Sequence, residues 1–229
     1  MDSDVSDVAN LFGVSKNKVY RWIKRKEIPI TYVQGQYRFN RSDLIEWAIA
    51  KGIKFSPEIF QKPQLTPTCL PNLATTLESG GIFYHVKGTD QCSVLQSVVP
   101  LLPLPEEIDR EFLFTLLLAR ESLGSTGVGN GIAIPHPRNP IISDVLAPTI
   151  TLCFLEKPID FGALDGQPVH TLFVLISPTV RVHLHLLSRI AFALNDPGFK
   201  ALILSHAKKE DILNAARQIE PGIKQEGVE

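Results

Sequence analysis

The sequence predicts a mixed α/β (α+β) chain in two parts: a small helical head with a two-stranded hairpin, then a mixed β-sheet domain flanked by helices. Three observations predict it. Charge is divided, with 11 Lys/Arg against 7 Asp/Glu in residues 1–62, a net of +4, and 12 against 17 in residues 63–229, a net of −5. Prolines at 57, 63, 67 and 71 interrupt the stretch between, which forbids a continuous helix or central strand. Beyond it, helical apolar periodicity intermixes with apolar β-rich runs, 147–155 and 170–176, of the kind covered on both faces. The expected boundaries are 1–55 for the head, 56–72 for a proline-rich linker, 73–222 for the sheet domain and 223–229 for a polar tail.

Composition narrows the function classes. With 229 residues, 44% hydrophobic and 21% charged, the chain can bury real cores, which excludes disorder and collagen-like repetition. Its apolar runs, 112–119 and 171–176, fall far short of the roughly 18 residues of a membrane span. No basic start leads into an apolar stretch, so no secretory leader is expected and the cytoplasm is the expected compartment. Cys69, Cys92 and Cys153 are scattered and make neither a disulfide framework nor a zinc-type pair. No metal, cofactor or membrane partner is expected. A net charge of −1 gives no hint of nucleic acid, yet it averages two unlike parts.

In the head, apolar Val5, Val8, Ala9, Leu11 and Phe12 predict a short amphipathic helix over 4–12. Gly13 turns the chain, Ser15 stands as N-cap, and a second helix over 16–26 turns Val19, Trp22 and Ile23 inward. Ala9, Gly13 and Val19 meet the demands of a helix-turn-helix: a small residue at the crossing, a residue tolerant of positive φ, and a compact inward residue. The outer face carries Lys16, Asn17, Lys18, Tyr20, Arg21, Lys24, Arg25 and Lys26 with no acid among them. Cations suit phosphates, and Asn, Arg and Lys suit base edges. A hairpin of wing size follows over 30–39, placing Arg38 and Arg41 to touch backbone, and a closing helix follows over 40–51. Taken alone, such a basic run reads as a solvated helix face; the helix-turn-helix spacing and the hairpin behind it point to DNA. The segment VSDVANLFGVSKNKVYRWIKRKEIPI…YRFNRSDLIEW resembles the excisionase/MerR-type winged helix-turn-helix family. That resemblance implies a 16–26 helix in a DNA major groove, a hairpin on backbone or minor groove, and Trp22 and Trp47 in the core. One such module offers a small interface, so a homodimer or neighbouring copies on DNA are expected to supply affinity.

The second part reads as helices over 91–102 and 108–121, a glycine-rich run, a strand over 131–134, the two apolar strands, and helices over 184–194 and 208–216. The strand over 131–134 feeds His136, held between Pro135 and Pro137, which restrict its loop. A presented imidazole suits reversible chemistry at one ring nitrogen, although Pro-His-Pro taken alone reads first as a plain turn. The run upstream reads as a phosphate cradle, with the amides of Gly127, Gly129 and Asn130 converging on an anion.

The runs ARESLGSTGVGNGIAIPHPR, FLEKPIDFGALDGQPVHTLFVLISP and HLHLLSRIA resemble the enzyme IIA domains of the fructose/mannitol/nitrogen-regulatory branch of the bacterial phosphotransferase system, from about residue 73 to 219. The resemblance implies that His136 is the phosphate acceptor, loaded by an HPr-type phosphocarrier, with Arg120 the active-site arginine and His183 the second histidine. Near a helix start the dipole disfavours an imidazolium at His183. His170, where many relatives have an acid, and Arg181 depart from the pattern and are expected to raise positive potential or alter partner choice. Together the parts predict a phosphotransfer component with a DNA-binding head, not a small-molecule turnover enzyme. The alternatives are a phosphocarrier or protein-binding regulator whose head does not bind DNA, and a DNA-binding regulator whose second domain only dimerises.

Overall fold

Asp4 starts the first helix, α1 (Val5–Leu11): its carboxylate accepts from the Ser6 and Asp7 amides while the Asp7 side chain takes the Asp4 amide. This reciprocal box satisfies donors that a helix start leaves open. The helix buries Val8, Ala9 and Leu11, and the chain then reverses at Gly13, at φ 59. In α2 (Lys16–Lys24) Val19 and Ile23 turn inward, and Ser15 holds the N-cap position without a side-chain capping bond. β1 (Thr31–Val33) pairs antiparallel with β2 (Gln36–Arg38). Helix α3 (Arg41–Ala50) closes the core with Leu44, Ile45, Trp47 and Ala48. Phe12, Trp22 and Trp47 meet edge-on with ring centroids 5.0 to 6.1 Å apart, which keeps both tryptophans in the packing.

The computed structural model describes residues 4–33, 36–39, 41–51, 53, 70–106, 108–138 and 147–219. The proline-rich stretch 56–72 lies outside these apart from 70–72, and so does the tail 223–229. The chain divides into two compact units, Met1–Cys69 and Leu70–Glu229.

The second unit runs α4 (Leu73–Gly80), β3 (Ile82–Val86), α5 (Gln91–Val98), a 3-10 turn (Val99–Leu101), α6 (Arg110–Glu121), β4 (Gly127–Gly129) and β5 (Ile132–Ala133). It continues through β6 (Thr149–Ile159), β7 (Val169–Ile176), α7 (Val180–Asn195), α8 (Pro197–Leu204) and α9 (Lys209–Ile219). The strands form one five-stranded mixed sheet in the order β3-β6-β7-β5-β4. β3 runs parallel to β6 and β5 parallel to β7, whereas β6–β7 and β4–β5 are antiparallel. On one face Val94, Leu95, Val98, Leu113 and Leu117 of α5 and α6 pack on Cys153, Leu155, Leu172, Val174 and Ile176. The alternate strand residues Ile150, Leu152, Phe154, Phe173 and Leu175 are buried as well, with α4 against β6 and α7 against β7. Period-two burial on both faces is why these strands read as continuous apolar runs.

Capping shifts the element limits away from the apolar periodicity. Helix α7 starts at Val180, not near residue 184, because Thr179 Oγ1 accepts the Val182 amide at 3.2 Å. Three elements that apolar periodicity alone did not mark are α4, capped by Asn72, β3, and α8, capped by Asp196 with Pro197 in its first turn. Among the described residues no helix is long and apolar enough to cross a membrane.

Candidate functional site

Beyond β5 the chain stays extended beside β7: the Ile134 amide donates to the Thr126 carbonyl at 3.0 Å, and the Leu175 amide to the Pro135 carbonyl at 3.0 Å. His136 is thereby fixed at the end of the strand pair, 1% exposed. Its Nδ1 lies 2.7 Å from the Ile134 carbonyl, an acceptor only, so Nδ1 carries the proton and Nε2 keeps its lone pair. An imidazole so oriented is a nucleophile at Nε2.

Across from it stands His183, in the first turn of α7, with the two ring centroids 4.9 Å apart and tilted at 57°. His183 Nδ1 is 3.2 Å from Ser177 Oγ, and His183 Nε2 is buried with no hydrogen-bond partner among the described residues. Burial above all, then the neighbouring His136 and Arg120, holds the His183 pKa well below the usual imidazole value. Arg120, in the last turn of α6, is itself buried and donates from Nη1 to the Gly124 carbonyl at 2.9 Å. The structure therefore brings His136, His183 and Arg120 into one electrostatic neighbourhood.

Two further residues belong here that sequence reasoning did not select. Buried Glu121 accepts the Thr126 amide at 3.0 Å and the Thr126 hydroxyl, tying the end of α6 to the entry of β4. Burial pushes its carboxyl pKa up, against the opposing pull of the Thr126 hydrogen bonds, Arg120 and His136. Ser177, the first residue after β7, meets His183. The Arg120-Glu121 pair at a helix end was the only signal for Glu121; nothing local marked Ser177.

In the head, Lys16, Asn17, Lys18, Tyr20, Arg21, Lys24, Arg25 and Lys26 are all exposed, while Val19 and Ile23 are buried. Lys18 Nζ lies 5.5 Å from the Trp22 ring centroid, and Arg25 makes a long, exposed ion pair with Glu27 at 3.9 Å. Arg38 sits on β2, half-buried, on the hairpin that also presents Tyr32, 65% exposed. Helix α2 carries Lys16, Lys18, Arg21 and Lys24, ending two residues short of the expected 16–26, with Arg25 as its C-cap and Lys26 beyond it at φ 55.

The family described as "Phosphoenolpyruvate-dependent sugar phosphotransferase system, EIIA 2" matches residues 75–218. The chain belongs to this EIIA 2 family. A second family, described as "Helix-turn-helix domain", matches residues 4–51, so the EIIA 2 domain follows a helix-turn-helix head. The chain is similar to a nitrogen regulatory protein of Pseudomonas aeruginosa, 38% identical over 154 residues, covering 66% of this chain and 97% of the relative. In fold it is similar to the nitrogen regulatory protein IIA-Ntr of Neisseria meningitidis, with a TM-score of 0.55 at 25% identity, covering 63% of this chain and 98% of that one. A putative IIA domain from Streptococcus pyogenes shares the fold, with a TM-score of 0.53 at 18% identity over 66% of this chain and 97% of that one.

Within the EIIA 2 domain, not every expected site residue gathers at His136. Gly127 and Gly129 lie on β4 and Asn130 in the turn to β5, and the pairing register carries that turn to the opposite end of the strand pair from Ile134 and His136. The Asn130 amide donates to Asp165 Oδ2 at 2.8 Å and the Gly127 amide to Ser125 Oγ at 3.0 Å, so a shared phosphate cradle is not assembled from them. The glycines are required by packing instead: a Cβ on Gly127 would fall 2.6 Å from the Ala163 side chain, and Gly131, at φ +73, would meet the His170 ring at 2.3 Å. His170 stands at the start of β7, beside His206 with ring centroids 5.2 Å apart, at the far end of that strand from Ser177. Arg181 is exposed and depresses the pKa of His185, and is not among the groups that shift His183. Burial lowers the His170 pKa, which favours the uncharged ring there.

Proposed function

We propose that the EIIA 2 domain accepts a phosphoryl group on His136 Nε2 from an HPr-type phosphocarrier, and that this charge modulates DNA binding by the helix-turn-helix head. The observation that carries the reading is the pairing of two buried imidazoles, His136 and His183, 4.9 Å apart beside the Arg120 guanidinium. In the transfer the N–P bond of the carrier's phosphohistidine breaks and its electron pair returns to the carrier's ring nitrogen. The lone pair of His136 Nε2 forms the new N–P bond, while the ring keeps its proton on Nδ1, donated to the Ile134 carbonyl. Such a transfer asks the protein for in-line positioning and charge neutralisation, which Arg120 and His183 are placed to give. The added charge of about −2 is the signal that alters domain docking or association. The likeness to nitrogen regulatory proteins supports a regulatory use of the phosphate over sugar transport.

The test is incubation of the full chain with phosphoenolpyruvate, enzyme I and an HPr-type carrier. Acid-labile label that disappears in His136→Ala is expected; label that survives this substitution, or none in the wild type, overturns the phosphoacceptor role. Salt-sensitive DNA binding that differs between the phosphorylated and unphosphorylated chain is expected in the same experiment. No DNA affinity at low salt would leave a phosphocarrier or protein-binding regulator.

A further inference from the structure

We propose that Ser177 is a positioning residue: its hydroxyl holds His183 in the Nε2–H tautomer, so that the ring donates to the phosphoryl group received by His136. The proposal rests on the phosphoacceptor reading above. Ser177 is 3% exposed and its Oγ lies 3.2 Å from His183 Nδ1, joining the end of β7 to the first turn of α7. A buried hydroxyl has one proton that needs an acceptor. Among the described residues, His183 Nδ1 is the hydrogen-bond partner of this hydroxyl. If Nδ1 carried the ring proton it would donate to Oγ, and the hydroxyl proton would be stranded in the interior. With Ser177 donating, Nδ1 accepts and the single proton of the neutral ring sits on Nε2.

The consequence falls on the acceptor. His183 Nε2 is buried and has no partner among the described residues, on a ring whose neighbour is His136. The two histidines thus hold complementary tautomers. His136 carries its proton on Nδ1, donating it to the Ile134 carbonyl, and keeps a lone pair on Nε2. His183 is protonated on Nε2 and turns an N–H toward the place an oxyanion will occupy. The reverse tautomer of His183 would present a lone pair to the phosphoryl oxygens and repel them. Burial keeps the ring neutral, so a fixed N–H and not a full positive charge meets the phosphate.

The test uses the full chain labelled with 15N-histidine, as wild type, Ser177→Ala and Ser177→Thr. Long-range 1H–15N spectra report the tautomer, and label transfer is timed with the phosphoenolpyruvate, enzyme I and HPr-type carrier system and with phosphoramidate as a carrier-free donor. In the wild type His183 is expected to show an unprotonated Nδ1 and a protonated Nε2. Ser177→Ala is expected to mix the two tautomers and slow phosphorylation by roughly three- to tenfold, the order that one neutral hydrogen bond carries. Ser177→Thr is expected to restore both, with the His136 tautomer unchanged throughout. Should Ser177→Ala weaken the fold, Ser177→Cys, a near-isostere with a weak donor, is expected to fall between it and the wild type. A protonated Nδ1 on wild-type His183, or Ser177→Ala with an unaltered tautomer and rate in a chain that does take label, overturns the Ser177 role alone. No label on the wild type from either donor overturns the phosphoacceptor reading, and this role with it.

Discussion

His185, two residues beyond the second histidine of the site, shows how one helix serves two ends of the domain. Its Nε2 donates to the Pro71 carbonyl at 2.9 Å, pinning the first described residues of the EIIA 2 domain to α7. Burial chiefly, with the Arg189 and Arg181 charges behind it, lowers its pKa to about 4. The unfolded chain binds the proton below the ordinary value of 6.5 while the folded chain does not until about 4. Stability from this group is therefore complete above 6.5 and lost as pH falls through the folded value, by up to about 3 kcal/mol. Urea denaturation between pH 7 and pH 4 is expected to show a flatter pH dependence for His185→Gln than for the wild type. Glu121 is the opposite case, a carboxyl whose pKa burial raises. Thr126→Val removes the hydroxyl it receives and is expected to cost about 1–3 kcal/mol in the same denaturation.

At the scale of elements, the short β4–β5 pair decides where His136 stands. Its turn demands a left-handed glycine at 131 because the His170 ring closes over it. Gly131→Val combines backbone strain with a clash, and a loss of at least about 2 kcal/mol is expected, read as a lower urea midpoint. The same pair was partly legible in the sequence: the strand before His136 and the glycine run were both visible. What the run does was not, since glycines that accept an anion and glycines that admit a neighbouring side chain share one composition. The register, which sends Asn130 to one end and His136 to the other, is a property of strand pairing and is absent from the local pattern.

Across the whole molecule the two units have separate cores, with charge of opposite sign. The head packs around Val8, Val19, Leu44 and Trp47, the EIIA 2 domain around its sheet. The head's six cations over 16–26 are expected to make DNA binding fall steeply with salt, with a slope of log Kobs against log salt near −3 to −5 at about −0.9 per phosphate. Titration of fluorescent duplex DNA between low and moderate salt checks this. A flat dependence would assign these cations to solvation alone.

The sequence by itself determined the helix-turn-helix, since its spacing of small, turn and inward residues is local and its cations cluster in one short run. It also marked the His136 segment as the candidate site, because the run ending in Pro135-His136-Pro137 is contiguous. Only the tertiary structure decided which side chains share the site with His136. Glu121 lies 15 residues before it and Ser177 41 residues after it in the numbering, and they come near only when α6, β5, β7 and α7 meet at one end of the sheet. Tautomers, burial and shifted pKa values arise from that convergence. They depend on distances across the fold, which a one-dimensional pattern of residue types does not contain.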